Sequence, residues 1–252
     1  MAEKKDFAVE SGHWYTAAGE PAYTIIGKNG KERNTTLADA RKLNLVPSVT
    51  TIIKCAAAPQ LEHWKRTQVL LSSMTLPRIP GESSDDFIYR VEQDWRKQGQ
   101  DAAATGTVIH GEIEKRFKGG VLDNAWLPWV ISAEKELTAS CGSSQWHTER
   151  SFSHPLGYAG KTDLHKDGWV VDVKTKDGEL KGFVSDDHVM QVAAYAQGLG
   201  LTGATGGILF VRRDKPESMF VPIAVEKMAQ GLAMFSALLA YHQAKTGYVP
   251  VF

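Results

Sequence analysis

The feature that most constrains the fold is a hairpin signal at Asp167-Gly168, which stands between two segments rich in β-forming residues. An Asp-Gly pair in this setting favours a two-residue hairpin turn. With the tip of the turn at this pair, Leu164 faces Val171 across the two strands. Asp163 then falls directly opposite Asp172. The sequence therefore predicts two carboxylates that face each other across a hairpin.

Facing carboxylates need a cation. Their β-carbons lie about 4.5 to 5.5 Å apart, and two like charges at that distance are destabilising unless a cation lies between them. Oxygen ligands favour magnesium or manganese over zinc. Lys174 lies on the same face as Asp172, where its ammonium group suits a phosphate-bearing substrate. This pattern predicts metal-dependent phosphodiester chemistry.

The alternative interpretation of Asp172-x-Lys174 is an ordinary solvated strand face. Against it, the second strand is apolar on both faces, from Trp169 through Val173. Such a pattern is typical of a buried central strand, where unpaired charges are costly. Charges in such a strand usually have a function.

Composition excludes several classes of protein. The chain has 252 residues, 42% of them hydrophobic, which is enough for one large domain or for a core with an added lobe. It has no run of about 18 apolar residues, and its first residues lack the apolar stretch of a signal peptide. We therefore expect a soluble, cytoplasmic protein without membrane contact, located in the host cytoplasm if it is phage-encoded. Cys55 and Cys141 are isolated, so an iron–sulfur cluster is not expected.

The formal net charge of the chain is +0. A neutral chain lacks the global cationic field of a passive DNA coat. It remains compatible with a nuclease, because acidic catalytic residues offset local basic patches.

The remaining pattern predicts an α/β fold, with a mixed central β-sheet flanked by helices on both faces. Before the sheet, residues 1–100 are predicted to form a β-hairpin and a mostly helical lobe that covers the cleft, and 101–252 to form the core. One predicted helix ends near Lys54, and the others span 61–73, 83–99, 102–117, 188–199 and 225–245. Outside the hairpin, the predicted strands span 145–153, 206–211 and 219–222.

Two helices add further polar residues. Gln191 and Tyr195 are four residues apart on the first helix after the hairpin, so they share a face. The alternative is an amphipathic helix whose tyrosine only covers the sheet. On an earlier helix His110 lies beside an apolar stripe, with Glu114 one turn later.

Together the motifs resemble those of a known family. The chain contains a helix motif at 106–111 with His110, then Gly160-x-x-Asp163, Asp172-Val173-Lys174 and Gln191-x-x-x-Tyr195. In order and spacing this is similar to the RecB-like branch of the PD-(D/E)-x-K nucleases, over about residues 105–200. The resemblance is closest to the phage-type and mitochondrial-genome-maintenance-type exonucleases that lack an iron–sulfur cluster. It implies a restriction-endonuclease-like core.

The resemblance also implies roles for the central residues. Asp163 and Asp172 would bind the catalytic metals, with His110 and the carbonyl of Val173 completing the shell. Lys174 would orient or deprotonate the attacking water and stabilise charge on the phosphorus. Bound cations are expected to lower the pKa of this lysine.

Other residues would surround this centre. Glu114 would assist through water. Glu149 is either a further metal or water ligand, as in phage-type exonucleases, or a charge on an edge strand. Gln191, Tyr195 and Lys161 would position the DNA backbone.

The function implied is a magnesium-dependent DNA exonuclease with a two-metal mechanism, in which manganese substitutes for magnesium. It would act on single- or double-stranded DNA ends in replication, repair or recombination. The chain contains no Gly-x-x-x-x-Gly-Lys-Ser/Thr motif, so a helicase, polymerase or single-strand-annealing partner would prepare the DNA. A homo-oligomer is also compatible. The alternatives are a structure-specific or restriction-type endonuclease, a catalytically silent DNA-binding or assembly module, and a structural calcium site.

Overall fold

The computed structural model describes residues 12–142, 145–201 and 203–252. Within them the strands are β1 (Trp14–Tyr15), β2 (Thr24–Ile26), β3 (Glu32–Asn34), β4 (Val46–Pro47), β5 (His147–His154), β6 (Tyr158–Lys166), β7 (Trp169–Lys176), β8 (Thr205–Arg212) and β9 (Ser218–Ile223). The seven helices of the same residues are α1 (Leu37–Leu43), α2 (Val49–Ile53), α3 (Pro59–Thr75), α4 (Ser84–Phe117), α5 (Leu127–Cys141), α6 (Asp186–Gly198) and α7 (Val225–Thr246).

The centre of the fold is a five-stranded mixed sheet in the order β5-β6-β7-β8-β9. Neighbouring strands are antiparallel except β7 and β8, which are parallel and are joined through α6. Helices α2, α6 and α7 share a hydrophobic core with one face of the sheet, and α4 and α5 share a second core with the other. The prediction of a mixed sheet flanked by helices on both faces is confirmed.

The hairpin register is confirmed as far as its last regular pair. Leu164 lies opposite Val171, and Gly168 in the turn has a φ of +79°. Beyond that pair the regular pairing of β6 and β7 ends, so Asp163 and Asp172 are close neighbours rather than a registered pair. The candidate site lies where the two strands separate.

Helix α4 corrects one prediction. The expected break between residues 99 and 102 is wrong, because a single helix of 34 residues spans Ser84–Phe117. Gly99 lies in its exposed interior with open space around it. There a glycine costs only about 1 kcal/mol of helix stability and does not end the hydrogen-bond ladder. Helices α1 and α5 were not predicted.

The region before residue 100 contributes to the core. β1 pairs with β4, and β2 pairs with β3 in a separate hairpin. Val49 and Ile52 of α2 are fully buried in the hydrophobic core formed with α6 and α7. Helix α4 continues through residue 100. The division into a lobe over 1–100 and a core over 101–252 stays a prediction.

None of the helices in the described residues is both long and apolar enough to cross a membrane. The expectation that no signal peptide is present depends on residues 1–11, which lie outside the described residues.

Candidate active site

The close approach of α4 to the sheet brings His110 to the strands. Gly106 is buried, and a β-carbon at this position would lie 2.7 Å from Oγ1 of Thr175 on β7. Only glycine lets α4 come this close to β7 without displacing Thr175. One turn later, Nδ1 of His110 lies 3.7 Å from Oδ2 of Asp163. The glycine of the 106–111 segment is therefore a packing requirement of the site.

Asp163 is held by the backbone of the neighbouring strand. Its Oδ2 accepts a hydrogen bond from the backbone N–H of Val173 at 2.8 Å. The carboxylate thus satisfies a strand N–H at the point where regular pairing of β6 and β7 ends. The Asp163 side chain is 21% exposed, so the carboxylate can still reach a ligand.

A small cavity is lined by predicted residues from one helix and three strands. It is lined by His110 and Glu114 of α4, Glu149 of β5, Asp163 of β6 and Val173 of β7. Its volume is about 10 Å³. That is room for roughly one water-sized particle. Glu114 and Glu149, for which the sequence allowed more than one role, therefore line the same cavity as Asp163.

Glu149 reaches the cavity through an unusual backbone conformation. Its φ is +54°, and it is left out of the regular β5–β6 pairing, which includes Thr148 and Arg150 on either side of it. A left-handed conformation costs a residue of this type about 1 to 2 kcal/mol. Such strain is most often retained at functional sites. Lys161, predicted to position DNA, forms an ion pair with Glu149.

Asp172 is the centre of a second, buried group. It is 2% exposed, and its Oδ1 accepts a hydrogen bond from Nε2 of Gln191 at 2.8 Å. Oε1 of Gln191 accepts one from Nζ of Lys174 at 3.0 Å, and its Nε2 also donates to the Tyr195 hydroxyl at 3.0 Å. Nζ of Lys174 lies 2.8 Å from Oδ2 of Asp172 as an ion pair. All four predicted residues are thus directly connected.

Gly160 makes room for this group. A β-carbon there would lie 2.7 Å from Cε1 of Tyr195. The Gly160-x-x-Asp163 spacing thus lets Tyr195 pack against β6 while Asp163 reaches the cavity.

Burial and the neighbouring charges set the protonation of this group. Burial raises the pKa of Asp172, and the charge of Asp163 adds to that rise, although Lys174 opposes it. Burial acts to lower the pKa of Lys174, but the carboxylates of Asp172, Asp163 and Asp187 outweigh it and the pKa is raised. The surrounding carboxylates therefore favour the ammonium form of Lys174.

The first turn of α6 adds two residues that the sequence did not single out. Asp187 and His188 both interact electrostatically with Lys174. Burial lowers the pKa of His188 to about 4, and the charge of Lys174 adds to that effect. Their only sequence signal is their position at the helix start, three to four residues before Gln191.

Two tyrosines from the N-terminal region also lie near the site. The hydroxyl groups of Tyr15 and Tyr23 are 2.6 Å apart. Burial raises the pKa of Tyr15, and Tyr23, Tyr195 and Asp163 raise it further. Nothing in the local sequence of either tyrosine predicts this position, because the contact joins segments that are more than 130 residues apart.

The donor atoms suit a hard divalent cation. The cavity offers carboxylate oxygens and one imidazole nitrogen, and beside it the buried Oδ2 of Asp172 is in contact with the Lys174 ammonium. Magnesium prefers oxygen ligands of this kind. As the described side chains stand, no three His, Cys, Asp or Glu residues are close enough together to hold a metal. Glu149 and Asp172 are instead neutralised by Lys161 and Lys174.

Comparison with known proteins adds little to this geometry. No protein-family model matches the chain, and no curated protein is significantly similar to it. Among solved structures, the crystal structure of SSO0001 is 17% identical to the chain, with a TM-score of 0.30. The alignment covers 48% of this chain and 59% of that protein. The case for a function therefore rests on the residues of the site.

Proposed function

We propose that the protein is a magnesium-dependent DNA exonuclease with a restriction-endonuclease-like core. The observation that carries the proposal is the convergence of His110, Glu149 and Asp163 on one cavity beside the ion pair of the buried Asp172 and the half-buried Lys174. Three acidic groups, an imidazole and an ammonium in and beside one cavity favour a cation together with a phosphate-bearing substrate.

Asp163, Asp172, His110 and the Val173 carbonyl would hold the magnesium ions. Glu114 and Glu149 would complete the shell directly or through water. Bound cations supply charge neutralisation and an activated water for in-line displacement at phosphorus. Manganese, with similar ligand preferences, would substitute.

The chain's own residues would orient the substrate phosphate and stabilise the negative charge that develops on it. Lys174 is an ammonium ion fixed by Gln191 and Asp172, so it can donate to a phosphate oxygen as negative charge develops. Gln191 and Tyr195 hold this lysine and the Asp172 carboxylate in place. Lys161, which pairs with Glu149, would be available to a DNA phosphate if Glu149 held a cation.

The decisive experiment is digestion of end-labelled single- and double-stranded DNA with magnesium, comparing wild type with Lys174→Ala. The matched control is Lys135→Ala, an exposed lysine of α5. We expect the first variant to lose hydrolysis and the control to keep it. Release of mononucleotides from linear DNA, with covalently closed circles left intact, distinguishes an exonuclease from an endonuclease. Full magnesium-dependent hydrolysis by Lys174→Ala would refute the proposal.

A further inference from the structure

Helix α3, the connection over residues 76–83 and the first turns of α4 form a helical hairpin that exposes many apolar side chains. Helix α3 packs against α4, and no described residue of α3 belongs to either hydrophobic core of the sheet. Among the described side chains of α3 only Ser72 is buried. The exposed large apolar side chains of the hairpin are Leu61, Trp64, Leu70, Leu71, Met74, Ile79, Ile88 and Tyr89. Helices in proteins gain most of their stability by packing an apolar face, so α3 has apolar surface left for a further partner.

Four of these side chains form one patch on α3, which consists of Trp64, Leu70, Leu71 and Met74. At roughly 100° per residue, the four lie within an arc of about 120° around the helix. Their exposed fractions are 49%, 62%, 49% and 81%. The patch lies on the side of α3 that faces away from the buried Ser72, so it points out of the hairpin.

The patch contains no charged residue. The charged residues of α3 are Glu62, Lys65 and Arg66, and helical spacing puts all three outside the arc of the patch. Glu62 and Lys65 also pair with each other at 3.2 Å. The centres of protein interfaces are depleted of charge, whereas a surface for nucleic acid needs lysine and arginine against the phosphates. The patch therefore suits an apolar protein surface.

The size of the patch matches one half of a homodimer interface. Its exposed fractions correspond to on the order of 500 Å² of mostly apolar surface, and patches of this size mark interaction sites. A standard interface takes about 800 Å² from each partner, and about 65% of a homodimer interface is apolar, which again is on the order of 500 Å². A second copy of the chain supplies an identical patch, so a two-fold pairing covers both patches at once.

We propose that two copies of the chain pair through this patch, with their α3 helices antiparallel about a two-fold axis beside Leu70. The two hairpins then form a four-helix bundle. Antiparallel pairing places Trp64 opposite Met74 of the second copy, where a thioether and an indole make a favourable contact. The pairing needs no nucleic acid and does not depend on the proposed nuclease activity.

The first test is the mass of the full chain in solution, measured by sedimentation equilibrium in EDTA over a range of about 1 to 100 μM. The variants are Leu70→Glu and Met74→Glu. The matched control is Ile131→Glu, which puts the same charge on an apolar side chain of α5 that is 55% exposed. Circular dichroism and thermal unfolding verify that each variant is folded.

We expect wild type and Ile131→Glu to sediment with twice the mass of one chain. Leu70→Glu should raise the dissociation constant of the dimer at least about 30-fold, as for a residue at the centre of an interface. Met74→Glu should raise it as well, because it puts a charge opposite Trp64. A wild type that is monomeric at every concentration would overturn the proposal, and so would a dimer that neither substitution in the patch weakens.

Cysteine cross-linking tests the position of the axis. In a Cys55→Ser/Cys141→Ser background, Leu70→Cys should form a disulfide-linked dimer on mild oxidation. With the axis midway between Trp64 and Met74, the two copies of position 70 are offset by only about 3 Å along the helices. Leu61→Cys should not cross-link, because its two copies lie about 24 Å apart in the same direction. Cross-linking through position 61 but not through position 70 would refute the antiparallel pairing.

DNA binding and hydrolysis keep this inference apart from other roles of the patch. Anisotropy with a fluorescent oligonucleotide in EDTA measures binding by wild type and Leu70→Glu. Weaker binding by Leu70→Glu, with a wild type that is monomeric, would assign the patch to nucleic acid and overturn the pairing. In a parallel magnesium digest, dimerisation without hydrolysis rejects only the proposed nuclease, and hydrolysis by a monomeric wild type rejects only the pairing.

Discussion

Oδ2 of Asp163 accepts the backbone N–H of Val173 at 2.8 Å, so a candidate metal ligand also completes the hydrogen bonding of the hairpin. The same carboxylate raises the pKa of Asp172 by repulsion. Asp163 therefore has opposite effects on stability, and a pair of substitutions can separate them.

Asp163→Asn should keep the bond to Val173 while it removes the repulsion. Its free energy of unfolding, measured with urea in EDTA, should equal or exceed that of wild type, although magnesium-dependent hydrolysis should be lost. Asp163→Ala leaves the buried N–H of Val173 unpaired and should cost about 1 to 3 kcal/mol. Equal urea midpoints for the two variants would contradict this account.

Gly106→Ala should lower both stability and hydrolysis, because the new β-carbon meets Oγ1 of Thr175 and pushes α4 and His110 from the sheet. The double variant Gly106→Ala/Thr175→Ala removes the clash and should recover both. As a control, Gly99→Ala in the same helix meets open space and should add about 1 kcal/mol. Thermal unfolding and DNA digestion measure the effects, and failure of the second substitution to rescue would exclude the clash as their cause.

Gln191→Leu should cost more stability than Tyr195→Phe. Loss of the amide leaves the buried Oδ1 of Asp172 without its hydrogen-bond donor, at about 1 to 3 kcal/mol, and leaves Lys174 with only its ion pair to Asp172. Tyr195→Phe removes one hydroxyl and keeps the ring packing, for about 1 kcal/mol. Urea unfolding ranks the two, and the opposite order would show that the amide does not hold the pair.

His188 should make folding sensitive to mild acid. Its pKa is lowered from 6.5 to about 4 in the folded protein, mainly by burial. Between these values the unfolded chain binds a proton that the folded chain does not, so stability falls as the pH drops from 6.5 towards 4. The loss is at most about 3 kcal/mol.

His188→Gln should remove that part of the pH dependence and leave stability at pH 7 nearly unchanged. Glutamine can still form the capping contact to the backbone of Ser185. Urea midpoints of wild type and variant at pH 7, 6, 5 and 4 test this. Curves that stay parallel down to pH 4 would show that His188 titrates normally.

Local patterns in the sequence determined the hairpin register and which polar side chains share a face. The Asp167-Gly168 turn sets which residues of β6 and β7 pair, because side chains alternate along a strand and the turn leaves one register. The four-residue spacing of Gln191 and Tyr195 likewise placed both on one face of α6. Turn chemistry and periodicity act over a few residues, so the sequence contains them directly.

Only the tertiary structure decided which distant segments meet. Glu149 could be a ligand or an edge charge until its left-handed backbone placed it at the cavity with His110 and Asp163. Tyr15 and His188 gave no local signal for their positions near the site. These contacts depend on how closely α4, α6 and the N-terminal strands pack on the sheet, and packing is a property of the whole chain rather than of any short stretch of it.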